Sequence, residues 1–201
     1  FVCKRNNNGT LTRHLNKQKT QQLRGLDFGC GIGTHAIMFN DFQIDAYGID
    51  ISEVAISKAI ENATKKGINC DRFLVQPSDT HILPYGNDYF DFVVAESCLD
   101  SMSFSLSKLY ISELKRVTNG IIYASFIGHD PSMTSEEFVV KTQHEKGTIQ
   151  TVFDQEKICK LFSIDKEQFI YFSCIDQTDC NSKKLTSKRY YVIVKCSDTE
   201  V

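Results

Sequence analysis

The chain has no tryptophan, only three prolines and three methionines, and no cysteine pair spaced C-x-x-C. Neither charge is in useful excess. With 23 Lys and Arg against 25 Asp and Glu, the net charge is -2, which offers no basic field for nucleic acid or an acidic membrane. No apolar run approaches the ~20 residues of a membrane span. The eight cysteines (Cys3, Cys30, Cys70, Cys98, Cys159, Cys174, Cys180 and Cys196) are scattered. Structural zinc needs clustered thiolates or imidazoles, so no metal site is expected. Several of these cysteines sit in apolar runs as small hydrophobes, and a reducing, cytoplasmic setting is expected rather than a secreted disulfide framework.

What is present is a globular mix, 41% hydrophobic and 24% charged over 201 residues. A chain of this size buries roughly 70% of its unfolded surface and needs no staple. One domain over residues 1–201 is expected. Within it, residues 1–22 read as a polar, basic N-terminal extension open to truncation, because the first residue is Phe1 rather than Met. Residues 128–165 read as a substrate-side insertion followed by a helix.

Periodicity sets the elements. Asn6 to Gly9 reads as a loop and Leu11 to Leu23 as a helix. Short apolar runs at Gly25 to Phe28, Ala46 to Ile49, Phe73 to Gln76, Phe90 to Glu96 and Ile121 to Ile127 read as strands. Between them lie helical stretches: Thr34 to Phe42, a Ser52-capped helix to Lys66 stopped by Gly67, and one marked by Leu106, Leu109, Tyr110, Leu114 and Val117. Thr118-Asn119-Gly120 reads as a turn. Apolar strands alternating with helices predict an α/β fold, a parallel sheet covered on both faces. A helix at Asp154 to Phe162 follows, then strands at Gln168 to Cys174 and Arg189 to Cys196, which can pair antiparallel across the polar link Asp176 to Lys188.

The informative stretch is Leu26-Asp27-Phe28-Gly29-Cys30-Gly31-Ile32-Gly33-Thr34-His35. A strand runs into three alternate glycines and then a helix. Glycine allows a sharp turn and close approach of a ligand to the main chain, and N–H groups opening a helix favour an anionic group. Asp50 ends the next strand, where its carboxylate can accept both hydroxyl hydrogens of a ribose. A pyrophosphate would be repelled by Asp27, and Thr34 departs from the G-x-G-x-x-G spacing of dinucleotide sites. An ammonium and a sulfonium suit that acid better.

These residues resemble the class I S-adenosylmethionine-dependent methyltransferases, whose first motif is a hydrophobic residue, an acid, then x-Gly-x-Gly-x-Gly. Gly48-Ile49-Asp50-Ile51-Ser52 resembles that family's second motif. Ser78-Asp79-Thr80, Leu83-Pro84 and Phe90-Asp91 are similar to its third and fourth, and Arg189 to Lys195 looks like its reversed last strand. The resemblance implies a Rossmann-like, doubly wound, mostly parallel seven-stranded sheet with an antiparallel last strand. It implies S-adenosyl-L-methionine as methyl donor and S-adenosyl-L-homocysteine as product. By it, Gly29, Gly31 and Gly33, with Cys30 between them, lie along the methionine part, with Asp27 near its ammonium. Asp50 holds the ribose, Ile51 packs on adenine, Asp79 accepts from the adenine amine, and Thr34 contacts the carboxylate.

Methyl transfer from a sulfonium is an in-line displacement, so the protein mainly aligns the acceptor and excludes water. Candidate bases lie at the C-terminal strand ends: His129 first, and Glu96, which is a candidate for cofactor or acceptor binding as well. Asp100 and His144 are weaker candidates, and His35 reads as an exposed side chain without a role. In the family, enzymes acting on DNA bases usually carry Asn/Asp-Pro-Pro-Tyr/Phe after the fourth strand; here that position is Ala95-Glu96-Ser97-Cys98. A small-molecule acceptor is therefore expected, with DNA and membrane excluded and an RNA or protein acceptor disfavoured. The basic cluster Lys183, Lys184, Lys188 and Arg189 reads as a solvated hairpin. A non-catalytic S-adenosylmethionine-binding or partner subunit and an NAD-dependent oxidoreductase stand as alternatives.

Overall fold

The computed structural model describes residues 3–5, 11–13, 22–129, 136–141, 147–178, 181 and 185–196. At the N-terminus β1 (Cys3–Arg5) pairs antiparallel with β2 (Leu11–Arg13). This replaces the start of the expected helix: Leu11 and Leu15 mark too few apolar positions for a buried helical face, and β-branched Thr12 favours a strand. The rest of that helix, and the Asn6 to Gly9 loop, lie outside the described residues.

The main sheet is built from β3 (Arg24–Phe28), β4 (Asp45–Asp50), β5 (Phe73–Val75), β6 (Phe90–Ala95), β7 (Thr118–Ile127), β10 (Phe169–Thr178) and β11 (Leu185–Lys195). Its order is β10-β11-β7-β6-β3-β4-β5. The first five strands in sequence run parallel, and β11 lies antiparallel to both β7 and β10. The expected doubly wound sheet with a reversed last strand is the one observed. From β3 the chain steps outward to β4 and β5, then returns across β3 to β6. The C-terminal ends of β3 and β6 therefore part company at a topological switch point, where open α/β sheets bind ligands.

Four helices cover the faces: α1 (Thr34–Asn40), α2 (Glu53–Lys65), α3 (Phe104–Val117) and α4 (Gln155–Phe162). Ser52 caps α2 by accepting from the Ala55 N–H at 3.2 Å, and Gly67 follows in the left-handed region. Ile56, Ala59 and Ala63 of α2 pack with Ala36 of α1 against Phe73 and Phe92 on one face. The other face is larger: Tyr110, Ile111 and Leu114 of α3 and Ile158, Leu161 and Phe162 of α4 close over Val93, Ile122 and Phe126. Leu109, expected on the buried stripe of α3, is half-exposed, and Ile111 takes the core position.

Thr118-Asn119-Gly120 is not a turn. Strand β7 starts at Thr118, immediately after α3. Phe90 pairs with Thr118 while Phe92 pairs with Ile121, so β7 carries one extra residue there, a bulge. Gly120 makes that bulge fit, because a Cβ on it would collide with the Asp91 carbonyl oxygen.

Between β7 and α4 lies a two-stranded ribbon, β8 (Glu137–Val139) and β9 (Ile149–Thr151). It is fastened to the loop leading into α3: the Thr151 N–H and Gln150 Nε2 both donate to the Asp100 carbonyl at 2.8 Å, and Thr151 Oγ1 donates to the Met102 carbonyl at 2.6 Å. Phe153 is fully buried in the core, whereas Phe138 and Ile149 stay exposed.

Gly120→Ala is expected to cost about 1–3 kcal/mol by overpacking the bulge, read as a lower urea midpoint with an unchanged slope.

Candidate active site

The glycine turn is shaped by the sheet beneath it. The Gly29 and Cys30 N–H groups both donate to the Ile49 carbonyl, at 2.8 and 3.0 Å, so β4 pins the turn's start. Gly29, Gly31 and Gly33 all have positive φ, at 72°, 52° and 82°, a sequence of left-handed steps that only glycine takes cheaply. A Cβ on Gly29 would strike Cys98, but one on Gly31 would meet nothing within 4 Å. Space is open above Gly31, on the side where a ligand would approach.

Asp50 joins the turn to the next strand. Its Oδ2 accepts from the Gly31 N–H at 2.8 Å and its Oδ1 from the Ser52 N–H at 2.8 Å. A carboxylate offers about four lone-pair sites, so both oxygens keep capacity toward the cavity that Asp50 lines. That cavity has a volume of about 350 Å³, within the range of small-ligand pockets. Gly29, Ile51, Gln76, Ser97 and Cys98 line it with Asp50, and Met102, Leu106 and Tyr110 give it an apolar wall. Ile51 is 62% exposed and projects along this opening.

Asp27 is 1% exposed, with both oxygens turned to the first turn of α1. Its Oδ2 accepts from the Ala36 N–H at 3.2 Å, and its Oδ1 stands 3.6 Å from His35 Nδ1. The bonded carboxylate raises the imidazole's pKa above 6.5, with Glu96 adding to the effect. In this conformation Asp27 presents no free face to a ligand ammonium.

The ends of β6, β7 and β11 carry a polar network. Tyr123 donates to Glu96 Oε2 at 2.5 Å, and burial together with that carboxylate pushes the phenol's pKa up. Ser97 stands at φ 55°, a left-handed position rare outside glycine, held because its N–H donates to Ser125 Oγ at 3.0 Å. Arg189 Nη1 donates to Ser97 Oγ at 2.8 Å and lies 3.8 Å from Asp100 Oδ2, which in turn accepts from the Ile127 N–H at 2.7 Å. Burial raises the Asp100 pKa.

Asp27, Gly29, Gly31, Asp50, Ile51 and Glu96 thus gather at the switch point. Of these, Gly29, Asp50 and Ile51 line the cavity, whereas Asp27, Gly31, Glu96 and the other candidates do not. The Cys30 side chain packs into the core against Phe73 and its thiol pKa is raised by burial, leaving only main chain in the turn. Gly33 is buried beneath the turn, where it approaches Phe73 and Ala59. Thr34 opens α1 toward a separate groove with Ile37 and Asn62. Asp79 is exposed on the loop after β5, a loop that Gln76 holds by donating from Nε2 to the Thr80 carbonyl at 2.8 Å. His129 is exposed beyond β7. His144, Lys183 and Lys184 lie outside the described residues. Among the described residues, no group of three or more His, Cys, Asp or Glu side chains converges to hold a metal, and no helix is long and apolar enough to cross a membrane.

Sequence reasoning passed over His35, Gln76, Tyr123 and Ser125, and placed Arg189 on a solvated hairpin. Tyr123 had a signal, a hydroxyl two strand positions before Ser125 in an otherwise apolar run. Arg189 had none, because its place opposite Ile127 depends on strand register.

A family profile described as a methyltransferase domain matches residues 19–176. An uncharacterised protein of Haemophilus influenzae is 30% identical over 106 residues, which are 51% of this chain and 42% of that protein. The chain thus matches less than half the length of that relative. Among solved structures, a SAM-dependent methyltransferase from Methanosarcina mazei superposes with a TM-score of 0.67 at 22% identity, over 88% of this chain and 93% of that one. The 1,6-didemethyltoxoflavin-N1-methyltransferase of Burkholderia thailandensis, solved with 1,6-didemethyltoxoflavin and S-adenosylhomocysteine, does so with a TM-score of 0.63 at 15% identity, over 89% and 72%.

Gly29→Ala forces a side chain into the left-handed region and against Cys98. A loss of about 2–4 kcal/mol in stability is expected from strain and overpacking together, measured by chemical denaturation.

Proposed function

Because the chain belongs to the methyltransferase-domain family, we propose that it binds S-adenosylmethionine in the cavity at the switch point and transfers its methyl group to a small molecule. The observation that carries this reading is the Asp50 carboxylate beside the open face of Gly31, above a cavity of about 350 Å³. An acid at the end of β4 accepts two ribose hydroxyl hydrogens, and the side-chain-free turn lets the ligand lie against main chain. Ile51 supplies an apolar surface for a base, and the loop bearing Asp79 flanks it. The donor brings an activated methyl group, so the protein's task is alignment and exclusion of water.

Glu96 is the residue that takes the acceptor's proton. Its Oε2 is held by Tyr123, while Oε1 has only a 3.4 Å contact with Ser97 Oγ and can receive a proton from a hydroxyl or ammonium. His129, the other candidate base, is exposed beyond β7. The small-molecule reading is supported by the 1,6-didemethyltoxoflavin bound in the Burkholderia thailandensis enzyme.

Isothermal titration with S-adenosylhomocysteine is expected to show binding, and Asp50→Ala to weaken it about 100-fold, equivalent to about 2.8 kcal/mol. No binding to the intact protein would overturn the reading. Glu96→Gln is expected to keep S-adenosylhomocysteine affinity within about threefold while cutting transfer of labelled methyl to a small-molecule extract about 10²–10³-fold. Binding without transfer by the unaltered protein would favour a non-catalytic subunit.

A further inference from the structure

The reading above leaves the amino-acid end of the nucleoside without a partner. Strand order gives its direction. A ligand whose sugar meets Asp50 on β4 lies across the turn after β3, and its amino-acid arm then points toward the end of β6, two strand spacings or about 10 Å away. That arm is a zwitterion, carrying a carboxylate as well as an ammonium.

The acid before the glycines is not free to meet it. Asp27 is buried at 1% exposure, and both its oxygens face α1. Over it lies His35, whose side chain is 40% exposed and whose Nδ1 is turned to Asp27. With Nδ1 on the side of Asp27, 3.6 Å from its Oδ1, Nε2 lies on the opposite edge of the ring, away from the buried acid. The ring lies near-parallel to Phe39 one turn along, at 6.5 Å between centroids. The charged groups acting on it are Asp27 from β3 and Glu96 beyond β6. Both are carboxylates, so the imidazole is held in its charged form to higher pH than usual.

Resting on the proposed cofactor, we infer that His35, as an imidazolium backed by buried Asp27, donates from Nε2 to the carboxylate of the cofactor's amino-acid arm. Asp27 then acts through His35 and does not touch the ligand. A neutral residue at position 35 would leave the ligand's carboxylate facing Asp27 and Glu96 uncompensated.

The sign of the pH dependence follows. The pKa of His35 is raised in the fold, so its positive charge is fully present below about 6.5 and is lost as pH rises through the raised value. Affinity for a carboxylate-bearing nucleoside falls over the same interval. A nucleoside without that arm has nothing to lose there.

The experiment is calorimetric titration from pH 6.5 to 9 with S-adenosylhomocysteine and with 5′-methylthioadenosine, which lacks the amino-acid arm. At pH 7, His35→Gln is expected to weaken S-adenosylhomocysteine about tenfold, while methylthioadenosine changes by less than about twofold. The ligand's own amino group titrates near pH 8 in every protein tested, so His35→Gln supplies the baseline slope. His35→Lys, charged across the range, is expected to retain the affinity and to match that baseline slope, showing that the substituted chain folds. Equal losses for both nucleosides in His35→Gln, or parallel pH profiles for it and the unaltered protein, would overturn the inference while leaving the cofactor reading intact. Failure of both nucleosides to bind the unaltered protein would overturn the cofactor reading and this inference with it.

Discussion

Two hydrogen bonds accepted by Asp50 hold the glycine turn and the start of α2 to a single carboxylate, and the geometry of the site follows from them. The Gly31 N–H comes from one strand-to-helix turn and the Ser52 N–H from the next. Charge-assisted bonds of this kind are roughly twice as strong as neutral ones. They bring together two backbone segments that parallel pairing of β3 and β4 only aligns in register. With the turn fixed, Gly31 faces open space, Asp27 falls beneath α1, and the space between β4 and β6 becomes a cavity. The carboxylate that a sugar would use is thus already part of the scaffold, which leaves little to reorganise when a ligand arrives.

On the far side of the cavity the same economy recurs with different chemistry. Ser97 occupies a left-handed conformation that a non-glycine residue adopts at a cost of about 1–3 kcal/mol. Ser125 and Arg189 offset that cost by hydrogen bonding its N–H and hydroxyl. The strained residue sits between Glu96 and Cys98, so the conformation sets where the Glu96 carboxylate stands relative to the opening. Asp100 extends the arrangement outward: its side chain holds β7 and its carbonyl holds the β8–β9 ribbon. The cavity wall, β7 and the β8–β9 ribbon are tied through one loop of four residues, 97–100.

Much of this was legible from the residues alone, for physical reasons. Strands β3, β4, β6 and β7 are apolar runs buried on both faces, and helices α2 and α4 carry capping residues, Ser52 and Asp154, at their starts. Local chemistry of that kind survives in sequence. The glycine turn and Asp50 were legible too, because the conformations they need restrict which residues can stand there. What was not legible depended on register or on burial. Asn119-Gly120 has turn chemistry, yet the helix packs so close to β7 that the pair became a bulge. His35 reads as an exposed side chain until the fold shows an acid buried beneath it. Leu11 to Arg13 joined a strand because its partner, Cys3 to Arg5, lies in a segment with no pattern of its own.

The position of β11 bears on how the molecule is made. It lies between β7 and β10, and β10 pairs with no other strand of the sheet. A growing polypeptide that has emerged through β10 therefore still exposes the open edge of β7, with Ser125 lacking its guanidinium neighbour. The polar network at the ends of β6 and β7 cannot be completed while only the chain up to β10 has left the ribosome. It waits for β11, inserted from the opposite direction, so completion of the sheet and completion of that network become one event.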